Sequence, residues 1–533
     1  MSDATASSPV TVRDATIALL RRLGMTTVFG NPGSTELRFL QDWPEDFRYV
    51  MGLHEGPVVA MADAYAQLTG NAAFVNLHSA GGVGNAMGAI LTACRNYAPL
   101  VIVAGQQTRA MLPSDPFLFA EDPTLLPRPY VKWSTEPARA ADVPIAIARA
   151  YAMAMQRPYG PTFVSVPEDD WDCESSAVSE RRVIDDPVPD AAALDALAGA
   201  IAASRAPAFV AGAGVDRDGA AGQLVRLAER LDAPVWAGAL TSRCGFPEDH
   251  RLFRGALPRV RSGVAEALRE HDLVLVLGAP AFNYHIHREG PYVEAETSVF
   301  QIVDDPRTAS AAVVGTSIIA ALGPTLRALS VLVAPRPTLR SARPRPQPPP
   351  AERDQITIEL LLDALAAELP RDAVVVEEAP STHTMLHDVL PLQPSRYLTA
   401  ASGSLGFGLP AAAGAALASP GQRVVALLGD GSSYYGLPAL WTAAQHALPI
   451  TFVIVDNAGY GAMRSFAQLH GFTRSPDFAI RGVDFCALAA AFGIPARRVD
   501  RVNDLAPALR EALAWSGPML IDVTVDDAAR KLF

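Results

Sequence analysis

The chain has 533 residues, of which 50% are hydrophobic and 19% charged, so it is long enough for several domains and too apolar to be disordered. Its 56 acidic residues outnumber 44 lysines and arginines, leaving a net charge of −12 without a prominent basic run. This balance disfavours a nucleic-acid or anionic-membrane partner. The four cysteines are far apart and show no paired ligand spacing, so neither a zinc site nor a disulfide framework is expected.

Two sequence features bear on location. The N-terminus is polar and has neither the basic start nor the apolar stretch of a signal peptide, so a cytoplasmic location is expected. The stretches 65–94 and 397–422 lack charged residues, but several glycines interrupt each of them, and membrane spans are not expected.

Composition shifts divide the chain into domains. A Pro-rich and Arg-rich segment at 334–352 is predicted to be an extended linker, and a weaker boundary lies at 181–190. We therefore expect domains at 1–182, 190–333 and 353–533. All three alternate short β-rich apolar runs with amphipathic helical patterns, which predicts an α/β protein of three domains, each an open, mostly parallel sheet with helices on both faces.

In the first domain a helix is predicted over 12–23, with Thr11 and Asp14 spaced as a capping pair. A strand then leads into the turn 30–34. Glu55 ends a further strand-like run and precedes another helical pattern. A carboxylate in that position, considered alone, is typical of a helix cap.

The middle domain has predicted strands at 208–211, 273–277 and 299–303. Gly212-Ala213-Gly214 follows the first strand, but Arg217 stands where a dinucleotide-binding fingerprint needs its third glycine. No bound dinucleotide is therefore expected in this domain.

In the third domain, an apolar run at 423–429 ends in Gly429-Asp430-Gly431, a helical pattern covers 437–447, and a second buried strand at 450–455 precedes Asn457. Parallel strands joined in this way bring both polar groups to one edge of the sheet. A carboxylate and an amide oxygen beside a Gly-rich turn suit Mg²⁺ bound to a diphosphate. The alternative is an ordinary turn followed by a helix cap.

The first and third domains also match each other weakly. At one fixed offset, residues 78–81 fall on 401–404 and residues 100–103 fall on 423–426. The match suggests that the two domains repeat one fold, although any two α/β units share a strand, a Gly-rich loop and a helix.

Glu55 in one domain, together with Asp430 and Asn457 in the other, resembles the thiamine diphosphate enzymes. In these enzymes a pyrimidine-binding (PYR) domain supplies a glutamate and a diphosphate-binding (PP) domain supplies metal ligands. Longer local matches resemble the benzoylformate decarboxylase group of this superfamily: 28–34, 76–80, 105–111, 126–129 and 440–445. The resemblance implies a thiamine diphosphate-binding fold, with 1–182 as the PYR domain and 353–533 as the PP domain.

The resemblance also implies roles for individual residues. Glu55 would activate thiamine diphosphate, Ser34 would bind the substrate carboxylate, and His78 and His285 would transfer protons. The implied cofactor-binding residues are Asn31, Pro32, Gly33, Glu55, Leu405, Gly429, Gly431, Ser432 and Tyr460. The implied ligands of Mg²⁺, or of Ca²⁺ in the same site, are Asp430, Asn457 and the carbonyl of Gly459. The implied substrate pocket consists of Ser34, Leu118, Ala462, Met463 and Phe466.

Simpler interpretations of these residues remain open at the level of sequence. Ser34 after Asn-Pro-Gly is also typical of a turn or helix cap. His78 alone would more often be a hydrogen-bonded core histidine, and His287 competes with His285. Two positions depart from the family pattern: Asp456 replaces an asparagine beside the metal site, and Ala379-Pro380 replaces residues that usually carry hydroxyl groups.

The implied reaction is non-oxidative decarboxylation of an aryl 2-keto acid, converting benzoylformate to benzaldehyde and CO₂, with carboligation as a side activity. The alternatives are a thiamine diphosphate-dependent carboligase or lyase of the benzaldehyde lyase or acetolactate synthase type, and a non-catalytic cofactor-binding protein. The resemblance also implies a homotetramer with active sites between subunits.

Overall fold

The structure is a computed structural model and describes residues 10–179, 181–344 and 355–528. The chain divides into two compact units. The first unit comprises Met1–Ile184, Ser402–Gly421 and Ser433–Ile450. The second comprises Asp185–Ala401, Gln422–Ser432 and Thr451–Phe533.

The N-terminal third contains a parallel six-stranded sheet flanked by helices. The strands of this third of the chain are β1 (Val10–Thr11), β2 (Thr27–Asn31), β3 (Arg48–Met51), β4 (Ala73–Leu77), β5 (Leu100–Gln106), β6 (Ser134–Thr135), β7 (Thr162–Pro167) and β8 (Glu174–Ser175). Its helices are α1 (Val12–Arg22), α2 (Leu37–Leu40), α3 (Glu55–Thr69), α4 (Ser79–Asn96) and α5 (Val143–Met155). The sheet order is β3-β2-β4-β5-β7-β6, and β1 pairs with β8 in a separate antiparallel ribbon. The predicted cap of the first helix is confirmed, since Thr11 accepts a hydrogen bond from the Asp14 amide at 3.0 Å.

The middle third forms a second parallel sheet. Its strands are β9 (Pro207–Ala211), β10 (Val235–Ala237), β11 (Phe253–Ala256), β12 (Leu273–Leu277), β13 (Ser298–Val303) and β14 (Thr316–Ile319), in the order β11-β10-β9-β12-β13-β14. Its helices are α6 (Ala191–Ala203), α7 (Ala213–Arg217), α8 (Ala221–Leu231), α9 (Arg261–Leu268), α10 (Pro306–Ser310) and α11 (Leu322–Leu332). A Cβ at Gly212 would lie 2.4 Å from the carbonyl oxygen of Gly278, so this glycine permits close approach of two backbones.

The last third forms the third six-stranded sheet. Its strands are β15 (Val374–Glu378), β16 (Tyr397–Thr399), β17 (Val424–Gly429), β18 (Ile450–Asp456), β19 (Ala496–Val499) and β20 (Met519–Thr524), in the order β16-β15-β17-β18-β20-β19. Its helices are α12 (Ile358–Glu368), α13 (His383–Val389), α14 (Gly408–Ala418), α15 (Asp430–Ser433), α16 (Pro438–Gln445), α17 (Gly461–Leu469), α18 (Phe485–Ala491) and α19 (Val502–Ala514). The predicted α/β class with parallel sheets is confirmed.

The first and third sheets have one topology. Counted from the first strand of each sheet, the order is second, first, third, fourth, sixth, fifth in both. This order makes β4 equivalent to β17 and β5 equivalent to β18. The repeat is therefore present, but the sequence alignment that placed 100–103 on 423–426 is wrong, because it matches β5 with β17 and slips by one strand–helix unit.

The described part of the predicted linker, 334–344, contains no helix or strand, and its arginines bond to the middle third. Arg336 donates to the carbonyl of Ile201 at 2.6 Å, and the Arg340 side chain donates to the carbonyl of Asp232 at 3.0 Å. The remainder of the predicted linker falls in 345–354, outside the described residues. Within the described ranges, no helix combines the length and apolarity needed to cross a membrane.

Candidate active site

Glu55 is the first residue of α3 and is 8% exposed. Its two carboxylate oxygens accept hydrogen bonds from the side-chain amides of Asn31 and Asn85, each at 3.1 Å. The cap of α3 is His54, whose Nδ1 accepts a hydrogen bond from the Gly56 amide at 3.1 Å. The interpretation of Glu55 as a helix cap is therefore wrong.

Asn31 ends β2, and the turn that follows brings Ser34 to the surface of the first unit. Ser34 is the first residue of a short 3₁₀ helix, Ser34–Glu36, with Gly33 at the cap position. Ser34 is thus an exposed residue, and it is not the cap of this helix. Pro32 and Gly33 complete the turn between them.

His78 follows β4, and its ring is 25% exposed, so it is not a core histidine. Its Nδ1 lies 2.8 Å from Oε2 of Glu36 and 3.1 Å from the hydroxyl of Thr35. The hydrogen bond to Glu36 raises the pKa of His78, while partial burial opposes the rise. The same ring packs against the backbone of Gly33, where a Cβ would lie 2.3 Å from Nδ1.

Two further predicted residues lie in the first unit. The carbonyl of Leu118 accepts a hydrogen bond from the Ser79 hydroxyl at 2.8 Å, which ties the loop bearing Leu118 to the start of α4. Leu405 lies in the loop before α14, and α14 packs on α3. The start of that loop is held to α4 by Ser402, whose hydroxyl lies 2.8 Å from that of Thr92.

In the second unit, Asp430 lies where β17 ends and is 3% exposed. Its oxygens accept hydrogen bonds from the amides of Gly431 at 2.7 Å and Gly459 at 2.6 Å. Burial raises the pKa of Asp430 to about 6; the two amides oppose this rise and Asp456 adds to it. The departure noted at Asp456 thus places a second carboxyl group beside Asp430.

Asn457 is 8% exposed, and its Oδ1 is buried with no hydrogen-bond partner among the described residues. A buried acceptor without a donor is unfavourable unless a ligand satisfies it. Carboxylate, amide and carbonyl oxygens are what Mg²⁺ and Ca²⁺ bind. The donor set of Asp430, Asn457 and the Gly459 carbonyl therefore fits a hard divalent cation.

The glycines around this edge let neighbouring side chains pack directly against the backbone. A Cβ at Gly431 would lie 2.8 Å from the ring of Tyr460, and one at Gly461 would lie 2.9 Å from the hydroxyl of Ser381. Ser432 donates to the carbonyls of Glu378 at 2.6 Å and Gly429 at 2.9 Å, which joins the ends of β15 and β17. A hydroxyl therefore remains at this edge, at Ser381, despite the replacement at Ala379-Pro380.

His285 also belongs to the second unit. Its amide donates to the carbonyl of Arg259 at 2.8 Å, and its ring meets that of Phe466 edge-on at 5.1 Å between centroids. Burial, followed by the charge of Arg259, lowers the pKa of His285. Its rival, His287, lies 3.2 Å from Glu289 and is 61% exposed. Ala462, Met463 and Phe466 lie on α17, the helix that follows the loop containing Asn457 and Gly459.

Three residues of this arrangement were missed from sequence: Glu36, Asn85 and Ser381. Glu36 stands three residues after Gly33, and a carboxylate at that spacing can accept from the cap amide; this half of a capping-box pattern is a weak signal for the residue, because glycine has no side chain to complete the box. Asn85 and Ser381 carry no such signal, because their neighbours Glu55 and Gly461 are distant in sequence.

Comparisons with known proteins agree with this geometry. Family models match all three parts of the chain: the thiamine pyrophosphate enzyme N-terminal TPP binding domain at 10–119, the central domain at 194–329 and the C-terminal TPP binding domain at 381–523. The chain therefore belongs to the thiamine pyrophosphate enzyme family, and its cofactor is thiamine diphosphate.

Similarity within the family extends over the whole chain. The chain is 44% identical to benzoylformate decarboxylase of Pseudomonas aeruginosa, covering 96% of this chain and 98% of the relative. The solved thiamine diphosphate-dependent 4-hydroxybenzoylformate decarboxylase of Rhodococcus jostii RHA1 is 40% identical to this chain, with a TM-score of 0.94. The match covers 98% of this chain and 100% of the Rhodococcus chain. Benzoylformate decarboxylase from Polynucleobacter necessarius is 39% identical, with coverage of 98% and 99% and a TM-score of 0.95. The resemblance inferred from sequence is confirmed.

Proposed function

We propose that this protein catalyses the non-oxidative decarboxylation of an aryl 2-keto acid, with benzoylformate as substrate and benzaldehyde and CO₂ as products. The observation that carries the proposal is the Glu55 carboxylate, buried at the start of α3 and held by two amide side chains. Whole-length similarity to proteins named benzoylformate decarboxylase supports the substrate class.

When bound, thiamine diphosphate would supply a nucleophilic carbon for a ketone and an electron sink for the pair left behind when CO₂ departs. Glu55 would hydrogen-bond the pyrimidine ring and promote removal of the C2 proton. The hydroxyl of Ser34 would bind the substrate carboxylate. His78 and His285 would transfer protons at the reacting carbon, since imidazoles titrate near neutral pH.

The second unit would hold the diphosphate through a metal ion. We propose Mg²⁺, or Ca²⁺ in the same site, bound by Asp430, Asn457 and the Gly459 carbonyl. The orphaned Oδ1 of Asn457 supports this assignment. Cofactor contacts would come from Asn31, Pro32, Gly33, Leu405, Gly429, Gly431, Ser432 and Tyr460, and the aryl ring would contact Leu118, Ala462, Met463 and Phe466.

We also propose the domain bounds 1–182, 190–333 and 353–533, with 334–352 as a linker, and a homotetramer with active sites between subunits. The three family models lie within these domain bounds and support them.

The function is tested by measuring CO₂ release from benzoylformate for the wild type and Glu55→Gln, with thiamine diphosphate and Mg²⁺ supplied. The wild type should release CO₂ and Glu55→Gln should lose at least about 100-fold in kcat. A panel of aromatic, branched and short 2-keto acids defines the substrate range. Cofactor-loaded wild type that releases no CO₂ from benzoylformate would contradict the proposal.

The metal assignment is tested by removing divalent cations with EDTA. Thiamine diphosphate binding, followed by calorimetry, should be lost and return with Mg²⁺ or Ca²⁺. In Asn457→Ala, the added cation should restore less cofactor binding than in wild type, because the cation loses a ligand. Cofactor binding unaffected by EDTA would argue against a metal bridge.

A further inference from the structure

Glu36 is a buried charged residue beside His78, with an exposed fraction of only 2%. Its Oε1 accepts hydrogen bonds from the hydroxyl of Thr35 at 2.7 Å and the amide of Gly105 at 2.9 Å. Its Oε2 accepts from the amide of Gly33 at 2.8 Å and lies 2.8 Å from Nδ1 of His78. The carboxylate is thus surrounded by hydrogen-bond donors on both oxygens.

Two glycines allow the backbone to pack closely against Glu36 and His78. A Cβ at Gly105 would lie 2.2 Å from Oε1 of Glu36, and a Cβ at Gly33 would lie 2.3 Å from Nδ1 of His78. Neither position tolerates a side chain without moving the pair. The chain therefore packs two separate turns directly against the carboxylate and the imidazole.

The geometry also determines which nitrogen of His78 carries a proton. The two backbone amides are permanent donors, so Glu36 must be the acceptor toward them. An ionised carboxylate only accepts, and so the Nδ1 of His78 must be the donor in its contact with Oε2. The Nε2 of the neutral ring is then left as an acceptor.

We propose that Glu36 is a positioning residue for the decarboxylation, which fixes His78 in the Nδ1–H tautomer and leaves Nε2 as the atom that accepts and returns the proton. This inference rests on the proposed function of His78. Glu36 acts through the imidazole and touches neither substrate nor cofactor in this role.

The pairing also raises the pKa of His78. Glu36 and Glu55 are the charged groups that act on the His78 ring, and both favour the imidazolium. Replacing Glu36 with glutamine removes the nearer charge and offers one oxygen where the carboxylate offered two. The pKa of His78 should fall, and the ring should be free to adopt the other tautomer.

The test compares wild type, Glu36→Gln and Glu36→Asp, with exposed Glu45→Gln as a matched control. In the full-length protein supplied with thiamine diphosphate and Mg²⁺, kcat for benzoylformate should fall about 10- to 100-fold in Glu36→Gln, with KM changed less. The limb of the pH–rate profile assigned to His78 should move to lower pH. Glu36→Asp retains the charge at a greater distance from His78. Its kcat and the position of its pH–rate limb should lie between those of wild type and Glu36→Gln.

A second measurement requires no turnover. Diethyl pyrocarbonate modifies the neutral imidazole, and the rate of modification at His78, located by peptide mass spectrometry, reports the pKa of His78 as a function of pH. The midpoint should be lower in Glu36→Gln than in wild type and unchanged in Glu45→Gln. If Glu36→Gln does not fold, the lower midpoint is expected for Glu36→Asp.

Equal midpoints in wild type and the Glu36 variants would overturn the proposal, as would unchanged kcat in folded Glu36→Gln. Absence of CO₂ release by wild type, together with a shifted midpoint, would instead reject the decarboxylase function and leave the Glu36–His78 pairing intact.

Discussion

At the scale of single residues, Gly33 brings the backbone close to a proposed catalytic group, the ring of His78. Its φ of −124° is available to any residue, so substitution there should not strain the backbone itself. Gly33→Ala would nevertheless place a methyl group 2.3 Å from Nδ1 of His78, and the ring must move. We expect kcat to fall about 100-fold or more, because a displacement of about 1 Å is enough for such a loss.

A double-mutant cycle identifies the cause of that loss. If Gly33→Ala acts by displacing His78, it should reduce turnover little further in a His78→Ala background. Additive losses would indicate that Gly33 acts by another route. Thermal unfolding of each variant checks that the fold is retained.

A second residue-scale prediction concerns the buried pair formed by Glu377 and His383, whose carboxylate oxygen and Nδ1 are 2.9 Å apart. Burial lowers the pKa of His383 to about 4, from 6.5, although Glu377 opposes that effect. Burial also acts against ionisation of Glu377, but His383 and the Ala379 amide outweigh it and bring the pKa of Glu377 to about 2, from 4.5.

Both shifts make the folded state bind fewer protons than the unfolded state. The stability that this pair contributes should therefore be full above about pH 6.5 and fall as the unfolded histidine takes up its proton between about pH 6.5 and 4. Glu377 extends the loss from about pH 4.5 towards 2. The unfolding temperature of wild type should drop more between pH 7.5 and 5 than that of His383→Gln. Roughly equal drops would contradict the lowered pKa of His383.

Residues at strand ends were the ones that sequence could locate. Asp430 and Glu55 each follow an apolar run at the predicted edge of a parallel sheet, and their burial there is a consequence of that topology. The contact between Glu36 and Gly105 joins positions far apart in the chain. Local patterns contain no signal for such contacts, so the sequence could suggest Glu36 as a capping residue but not as the partner of His78.

At the scale of elements, the repeat of one topology places α3 and α14 in equivalent positions of the two sheets, each following the second strand. These two helices pack against each other within the first unit. Gly414 lies at their contact, where a Cβ would be 2.0 Å from the backbone oxygen of Met61. The close approach therefore depends on the absence of a side chain at this position.

Gly414→Ala should destabilise the protein by about 1–3 kcal/mol or more, because backbone cannot yield as a flexible side chain can. The matched control is Gly199→Ala in the exposed part of α6, where no heavy atom lies within 4 Å of the added Cβ. That variant should be neutral or gain up to about 1 kcal/mol, since alanine favours a helix interior. Chemical denaturation of the two variants measures the difference, and equal stabilities would show that α3 and α14 separate at little cost.

The elements themselves were largely predictable. The pattern at 450–455 predicted β18 closely, and the pattern at 12–23 predicted α1 to within a residue of its end. The register of the repeat was not predictable from sequence, because β5 and β17 are both buried apolar strands that follow helices rich in small residues. Only the pairing between strands, which depends on contacts distant in sequence, shows that β4 and not β5 is the equivalent of β17.

At the scale of the whole molecule, the proposed catalytic groups are divided between the two units. Glu55 and His78 belong to the first, and Asp430, Asn457 and His285 to the second. A cofactor that needs both Glu55 and Asp430 can obtain them from one chain or from two. The proposed homotetramer implies that two subunits contribute to each site, which the distribution of activity among mixed oligomers can test.

Glu55→Gln and Asp430→Ala carry defects in different units, and each variant alone should be inactive. When the two chains are co-expressed with different tags and mixed oligomers are purified, a mixed pair of subunits would contain one site with both defects and one site with neither. A purified mixed dimer then restores about one half of wild-type kcat per chain, and purified mixed tetramers of randomly formed pairs restore about 0.3. If each site is built from a single chain, every site carries a defect and the mixture stays inactive. Size-exclusion chromatography with light scattering supplies the subunit count, and a monomer would contradict the proposed assembly directly.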